Sequence, residues 1–234
     1  MMIRIDSPNA WRECAVDWLR RIDPGIGDAP AYVLDLREAS GAVDLFGAGG
    51  VTSPMLSEAC RPILENMGLW RGHSQFAMIV DRQAFQGDTL LGIAIHEHCH
   101  NAQHVEIIRR FAKVIGDSKA ESIVNAPVGE TIRVDVNPPK PWDGHGPAFG
   151  RLAIHGWYRA TQLGAWIRPR VCWFTDFYGL GPIEPFINAL GDEPKHLATL
   201  PLSEVIAIEP PQEYQAFSES AVCAAERNFQ HEGV

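Results

Sequence analysis

Four histidines and a glutamate fall within fourteen residues, LGIAIHEHCHNAQH at 91–104. Inside that stretch His96-Glu97-His98-Cys99-His100 fits HExxH. On a helix His96 and His100 stand one turn apart on one face, about 6 Å in axial rise, so both imidazoles can reach a single ion. Zinc is the ion such a pair most often serves. Glu97 projects from the edge of that face, where its carboxylate can act as general base on a water activated by the metal.

A catalytic zinc takes three protein ligands and keeps one position open, so a third donor is required. A metzincin pattern would place glycine three residues and histidine six residues beyond His100, but those positions are Gln103 and Glu106. His104 shares the face of His96 and His100, yet about 12 Å of rise from His96 strains three-way coordination by one straight helix. His98 lies about 200° around the helix from His96, which makes it a packing or surface residue. A second cluster, WDGHGPAFGRLAIHGWYRA at 142–160, offers His145 and His155. Ten residues of helix would separate these two by about 15 Å, so they cannot share one ion.

HExxH followed by GHGPAF at 144–149 resembles the SprT-like family, to which the Spartan proteases belong, where a GHGPEF-type motif opens a second helix. The resemblance implies a zinc metallopeptidase in which His96, His100 and His145 hold Zn2+ and Glu97 is the catalytic base. Gly144 and Gly146 would let the backbone approach closely, Pro147 would set the first helical turn, and Phe149 could pack the new helix on the old. The likeness spans about residues 76–165. It departs from the family pattern at Ala148, which stands where the motif carries an acidic residue, in the longer stretch IVNAPVGETIRVDVNPPKP at 123–141, and in lacking a C-terminal cysteine ribbon. Tyr158, Arg151 and His155 on the second helix are the candidates for stabilising a tetrahedral intermediate, with Tyr158 preferred. Asp143 and Glu106 are candidates for orienting the histidines.

The elements that must position these groups are partly legible. Apolar residues at 91, 94, 95, 99, 102, 105 and 108 form one helical stripe, with Asp88 or Thr89 as cap and Gly116 as stop. FAMIVD at 76–81 and AYVLDLR at 31–37 read as strands. Ser7-Pro8 opens a first helix that ends at Asp23-Pro24-Gly25, and Ser53-Pro54 opens a second that ends near Gly68. GAGG at 47–50 has neither a P-loop lysine nor GxGxxG spacing, so it reads as a plain loop. A short polar helix near 119–125, a rigid extended loop at 137–144, a helix from Pro147 to about 165 and a last helix at 211–228 complete the reading.

These elements predict an α+β, zincin-like fold: a small β-sheet packed on the HExxH helix and a second metal-ligand helix, with additional helices at both ends. A single domain over 1–234 is expected, with a metallopeptidase core at about 31–165 and a C-terminal extension at about 166–234. A formal charge of −9 with only two dense basic patches, Arg109-Arg110 and Arg168/Arg170, disfavours nucleic acid. The expected partner is a protein or peptide substrate. No apolar run is long enough to cross a bilayer and the start of the chain lacks a secretion-signal pattern. Five dispersed cysteines without a CxxC pair indicate reduced thiols and a cytoplasmic location. Two rival functions remain open at the level of sequence. One is a zinc-stabilised, non-catalytic binding or structural protein, which would need a fourth protein ligand such as His104 or Cys99. The other is a zinc amidase acting on a non-peptide substrate.

Overall fold

The computed structural model describes residues 10–26, 32–39, 50–53, 59–70, 77–82, 87–115, 147–173, 184–209 and 211. In chain order these form α1 (Ala10–Ile22), β1 (Tyr32–Asp35), β2 (Gly50–Ser53), α2 (Arg61–Asn66), β3 (Ala77–Val80), α3 (Asp88–Ile115), α4 (Pro147–Gln162), α5 (Pro169–Trp173), α6 (Glu184–Asp192) and α7 (Leu202–Val205). Short 3-10 turns occupy Pro24–Ile26 and Lys195–Thr199.

The three strands form one mixed sheet in the order β1-β3-β2. β1 runs parallel to β3, with Val33 opposite Met78, and β2 runs antiparallel to it, with Gly50 opposite Val80 and Thr52 opposite Met78. The run FAMIVD is therefore the central strand, and its side chains alternate between two apolar layers as the period of two requires. Met78 and Val80 join Val33 in the main core with α1, α3 and α4. Ile79 and Leu34 turn the other way, onto Cys60 and Leu64 at the start of α2. α2 stops at Gly68, whose φ of 68° suits a residue without Cβ.

α3 is the axle of the molecule. Its residues 92–99 are buried on every side, because β2, α4, α5, α7 and α1 all pack around it. Glycines make two of these crossings close: a Cβ on Gly156 of α4 would sit 2.6 Å from Ile95 Cγ2, and one on Gly92 of α3 would sit 2.6 Å from Val171 Cγ1 of α5. Each fully buried Ile or Leu in this layer contributes about 1.5–3 kcal/mol.

The C-terminal helices belong to the same core. Ala189, Leu202 and Val205 share it with Ile93 and Leu152, and Arg159 of α4 donates to the carbonyls of both Ile22 and Leu197. Packing among the described residues thus draws no boundary at 165. The mixed α+β class is as expected, as are the strands at 32–35 and 77–80, α3 from Asp88, and α4 from Pro147. Two expectations are corrected. Gly50 opens a strand rather than closing a loop, and Ser53 ends that strand rather than capping a helix; pairing with β3 supplies the order that the local residues do not encode. The helices read at 119–125 and 211–228 and the loop at 137–144 lie outside the described residues, apart from Pro211. No helix among the described residues is long and apolar enough to cross a membrane.

Candidate metal centre

The HExxH residues sit in the middle of α3, where the helix has neighbours on all sides. His96 is buried, and its Nδ1–H donates to the backbone carbonyl of Cys172 at 3.0 Å. A carbonyl only accepts, so Nδ1 carries a proton, and in the neutral ring this tautomer leaves the lone pair on Nε2. His100 is oriented the same way by its own helix: Nδ1 donates to Gln103 Oε1, three residues on, at 2.9 Å. Burial pushes the His100 pKa below its ordinary value, against the opposing pull of that hydrogen bond, which favours the neutral ring. The two rings stand 5.0 Å apart, centroid to centroid, at 79° to each other.

Phe149 of the GHGPAF motif lies against both imidazoles. Its ring is 4.4 Å from that of His100, stacked at 26°, and 4.7 Å from that of His96, edge-on at 64°. This places the start of α4 at the histidine pair. His145, four residues earlier, lies outside the described residues. Among the described residues no group of three or more His, Cys, Asp or Glu side chains is placed to hold a metal ion.

Glu97 is 4% exposed, and burial alone pushes its carboxyl up to about 8. No described residue donates a hydrogen bond to it. One wall against it is Gly50 of β2, where a Cβ would fall 2.8 Å from Glu97 Oε1 and 3.0 Å from its Cγ. One turn further along α3, Asn101 Oδ1 accepts the Thr52 hydroxyl at 2.5 Å, locking β2 against the helix.

The other candidate residues go elsewhere. His98 is buried, with Nε2 2.6 Å from Asp23 Oδ2. Burial raises the Asp23 carboxyl, but His98 and the backbone N–H groups of Gly25 and Leu202 outweigh it and hold the group below its ordinary value. Cys99 is buried against Gly156, and burial drives its thiol far above the ordinary range. Glu106 is buried, while the side chain of His104 and all of Trp142 and Asp143 lie outside the described residues.

On α4 the helical step of about 100° carries Arg151, His155 and Tyr158 roughly 200°, 240° and 180° around from Phe149. Arg151 grips Glu193 of the segment after α6 through Nε at 3.0 and 3.1 Å and Nη2 at 2.7 Å, and His155 Nε2 is 3.3 Å from the same carboxylate. Neither faces the histidine pair. Tyr158 is half-buried and about 14 Å further along the axis than Phe149; the structure does not bring it together with His96 and His100. Trp157 is a packing residue whose indole donates to the Ile167 carbonyl at 2.8 Å.

Three contributors escaped the sequence reading. Gln103 was open to detection, since an amide three residues after a ligand histidine lies on the same helix face. The Cys172 carbonyl carries no side-chain signal. Gly50 sits in a glycine-rich stretch whose strand character comes only from its partner. Comparison with family models, curated proteins and solved structures gives no match to this chain.

Proposed function

We propose that this chain is a zinc-dependent metallopeptidase of zincin-like fold, related to the SprT-like family, that hydrolyses peptide bonds in a protein or peptide substrate. One observation carries the reading. Both HExxH imidazoles have Nδ1 committed to an oxygen acceptor, the arrangement that fixes metal-binding histidines through Nε2, and the aromatic residue of the second motif stacks on the pair.

His96, His100 and, from the same motif as Phe149, His145 would hold the metal. Bound zinc supplies Lewis acidity toward water and toward the carbonyl to be cleaved. Glu97 accepts the proton of the attacking water and returns it to the leaving amine, so that the carboxylate is regenerated in each turnover. Its buried position gives it a high proton affinity, and proximity to a dication draws the group back toward ionisation. α4 orders the pair from one side and the Cys172 carbonyl of α5 from the other. A closed structural site with Cys99 as fourth ligand finds little support, because that thiol is buried against Gly156 of α4. A cytoplasmic location belongs to the same proposal; the four described cysteines, Cys14, Cys60, Cys99 and Cys172, are unpaired.

The test measures zinc by elemental analysis together with casein hydrolysis for wild type and Glu97→Gln. Stoichiometric zinc in both, with hydrolysis reduced by about 10²–10⁴-fold in the variant, is the expected result. Zinc in both with hydrolysis by neither favours the structural role, and absence of zinc overturns both readings.

A further inference from the structure

We propose that Gly50 is a positioning residue for Glu97: its missing side chain is the space that the carboxyl group of the base occupies. The proposal rests on the peptidase reading for its functional consequence, but the contact it invokes is independent of that reading.

Gly50 is not among the positive-φ glycines of the described residues, which are Gly68, Gly87 and Gly164. Conformational freedom therefore does not explain a glycine here, and space does. A Cβ on Gly50 would meet Glu97 Oε1 at 2.8 Å, closer than such atoms approach one another, with Glu97 Cγ at 3.0 Å and the Ile79 carbonyl at 3.1 Å, tight enough that they must give. Glu97 is buried, and its close fit against Gly50 limits where the carboxyl points.

The same strand supplies the alignment. Residues two apart on a strand share a face, so Gly50 and Thr52 both look at α3, while Glu97 and Asn101, four apart, share a helix face. The Thr52–Asn101 hydrogen bond forms one rung between strand and helix and Gly50–Glu97 forms the next. A methyl group on the second rung would drive the carboxyl out of line, and a misplacement of about 1 Å costs a reaction about 100-fold.

The experiment is a double-mutant cycle with two readouts on the full-length chain. In the first, thermal midpoints are measured with and without chelator for wild type, Gly50→Ala, Glu97→Ala and the double variant. Gly50→Ala is expected to lower the midpoint by roughly 3–8 °C in the wild-type background and by at most about half as much when residue 97 is alanine. Equal losses in both backgrounds would locate the clash at the Ile79 carbonyl and overturn the proposal. If Gly50→Ala fails to fold alone, folding of the double variant supports the contact and failure of both overturns it.

In the second readout, Gly50→Ala is expected to keep wild-type zinc content and a KM within about twofold, while kcat for casein falls about 10–100-fold. A wild-type kcat, or loss of zinc from the variant, overturns the positioning role. An inactive wild type overturns the peptidase reading and removes the functional role of Gly50 with it, whereas the midpoint cycle still reports the contact on its own.

Discussion

Glu97 and Glu193 are both buried glutamates, 4% and 7% exposed, and they are built in opposite ways. Burial raises the carboxyl in each case. At Glu193 the hydrogen bonds and charge of His155 and Arg151 more than reverse it, and the group is held down at about 2. At Glu97 nothing among the described residues opposes burial, and the carboxyl rises to about 8. Arg151 also donates to the carbonyls of Val205 and Ile208, so the Glu193 cluster ties α4 to α7 and the turn after it. The first arrangement meets its carboxylate with a bidentate guanidinium and an imidazole and serves the fold. The second sets a buried carboxyl group, with no compensating charge among the described residues, beside two oriented imidazoles, and strongly shifted groups of this kind cluster at functional sites.

The comparison breaks most directly at its larger energy. Glu193→Ala would strand the Arg151 guanidinium, whose side chain is 2% exposed, with only carbonyl partners, and the expected loss is about 3–5 kcal/mol in urea unfolding at neutral pH. Glu97→Gln keeps the volume and orphans no donor, so its stability should stay within about 1 kcal/mol of wild type even though hydrolysis is lost. Similar unfolding costs for the two substitutions would mean that the two sites do not differ in kind.

Acid sharpens the same contrast. The folded Glu193 carboxyl binds its proton more weakly than the unfolded one, whose ordinary value is 4.5. Between pH 4.5 and 2 the unfolded chain therefore takes up more protons, so the contribution of this carboxylate is complete above that window and disappears as pH falls through it. A shift of this size corresponds to roughly 3 kcal/mol. Asp23, also depressed, acts with the same sign, and so does His155, which burial holds below its ordinary value against the pull of Glu193. The stability gap between wild type and Glu193→Gln should thus narrow from pH 5 to pH 2. A gap that stays constant over that range would show that the ionised carboxylate does not carry it.

The legibility of these two regions from sequence differed for physical reasons. α3 announces itself because its stripe and its HExxH spacing are local, and the opening of α4 announces itself because Pro147 fixes a first turn. His98 and Asp23 are 75 residues apart, and Arg151 and Glu193 are 42 apart. Neither pairing leaves a local trace, which is why Arg151 and His155 looked like site residues on an amphipathic helix. Gly50–Ser53 has no apolar alternation, since it turns only Val51 toward the α2 layer and keeps Gly50 and Thr52 for α3. Its identity as a strand is a tertiary fact. His145 lies outside the described residues, so the motif that named it is matched here only through Phe149.

Thr52→Val tests the smallest part of the contrast, the hydrogen bond that aligns β2 with Glu97. Valine keeps the shape and favours a strand, but it cannot donate to Asn101, and Thr52 is a buried side chain. The expected cost is about 1 kcal/mol, or a drop of about 2–4 °C in thermal midpoint. Because Gly50 is the neighbouring rung on the same strand face, kcat should fall a few-fold with zinc content unchanged. If stability falls while kcat stays at the wild-type value, β3 pairing alone holds Gly50 in place. The Thr52 rung would then belong with Glu193 among the features that serve the fold rather than with those that aim the base.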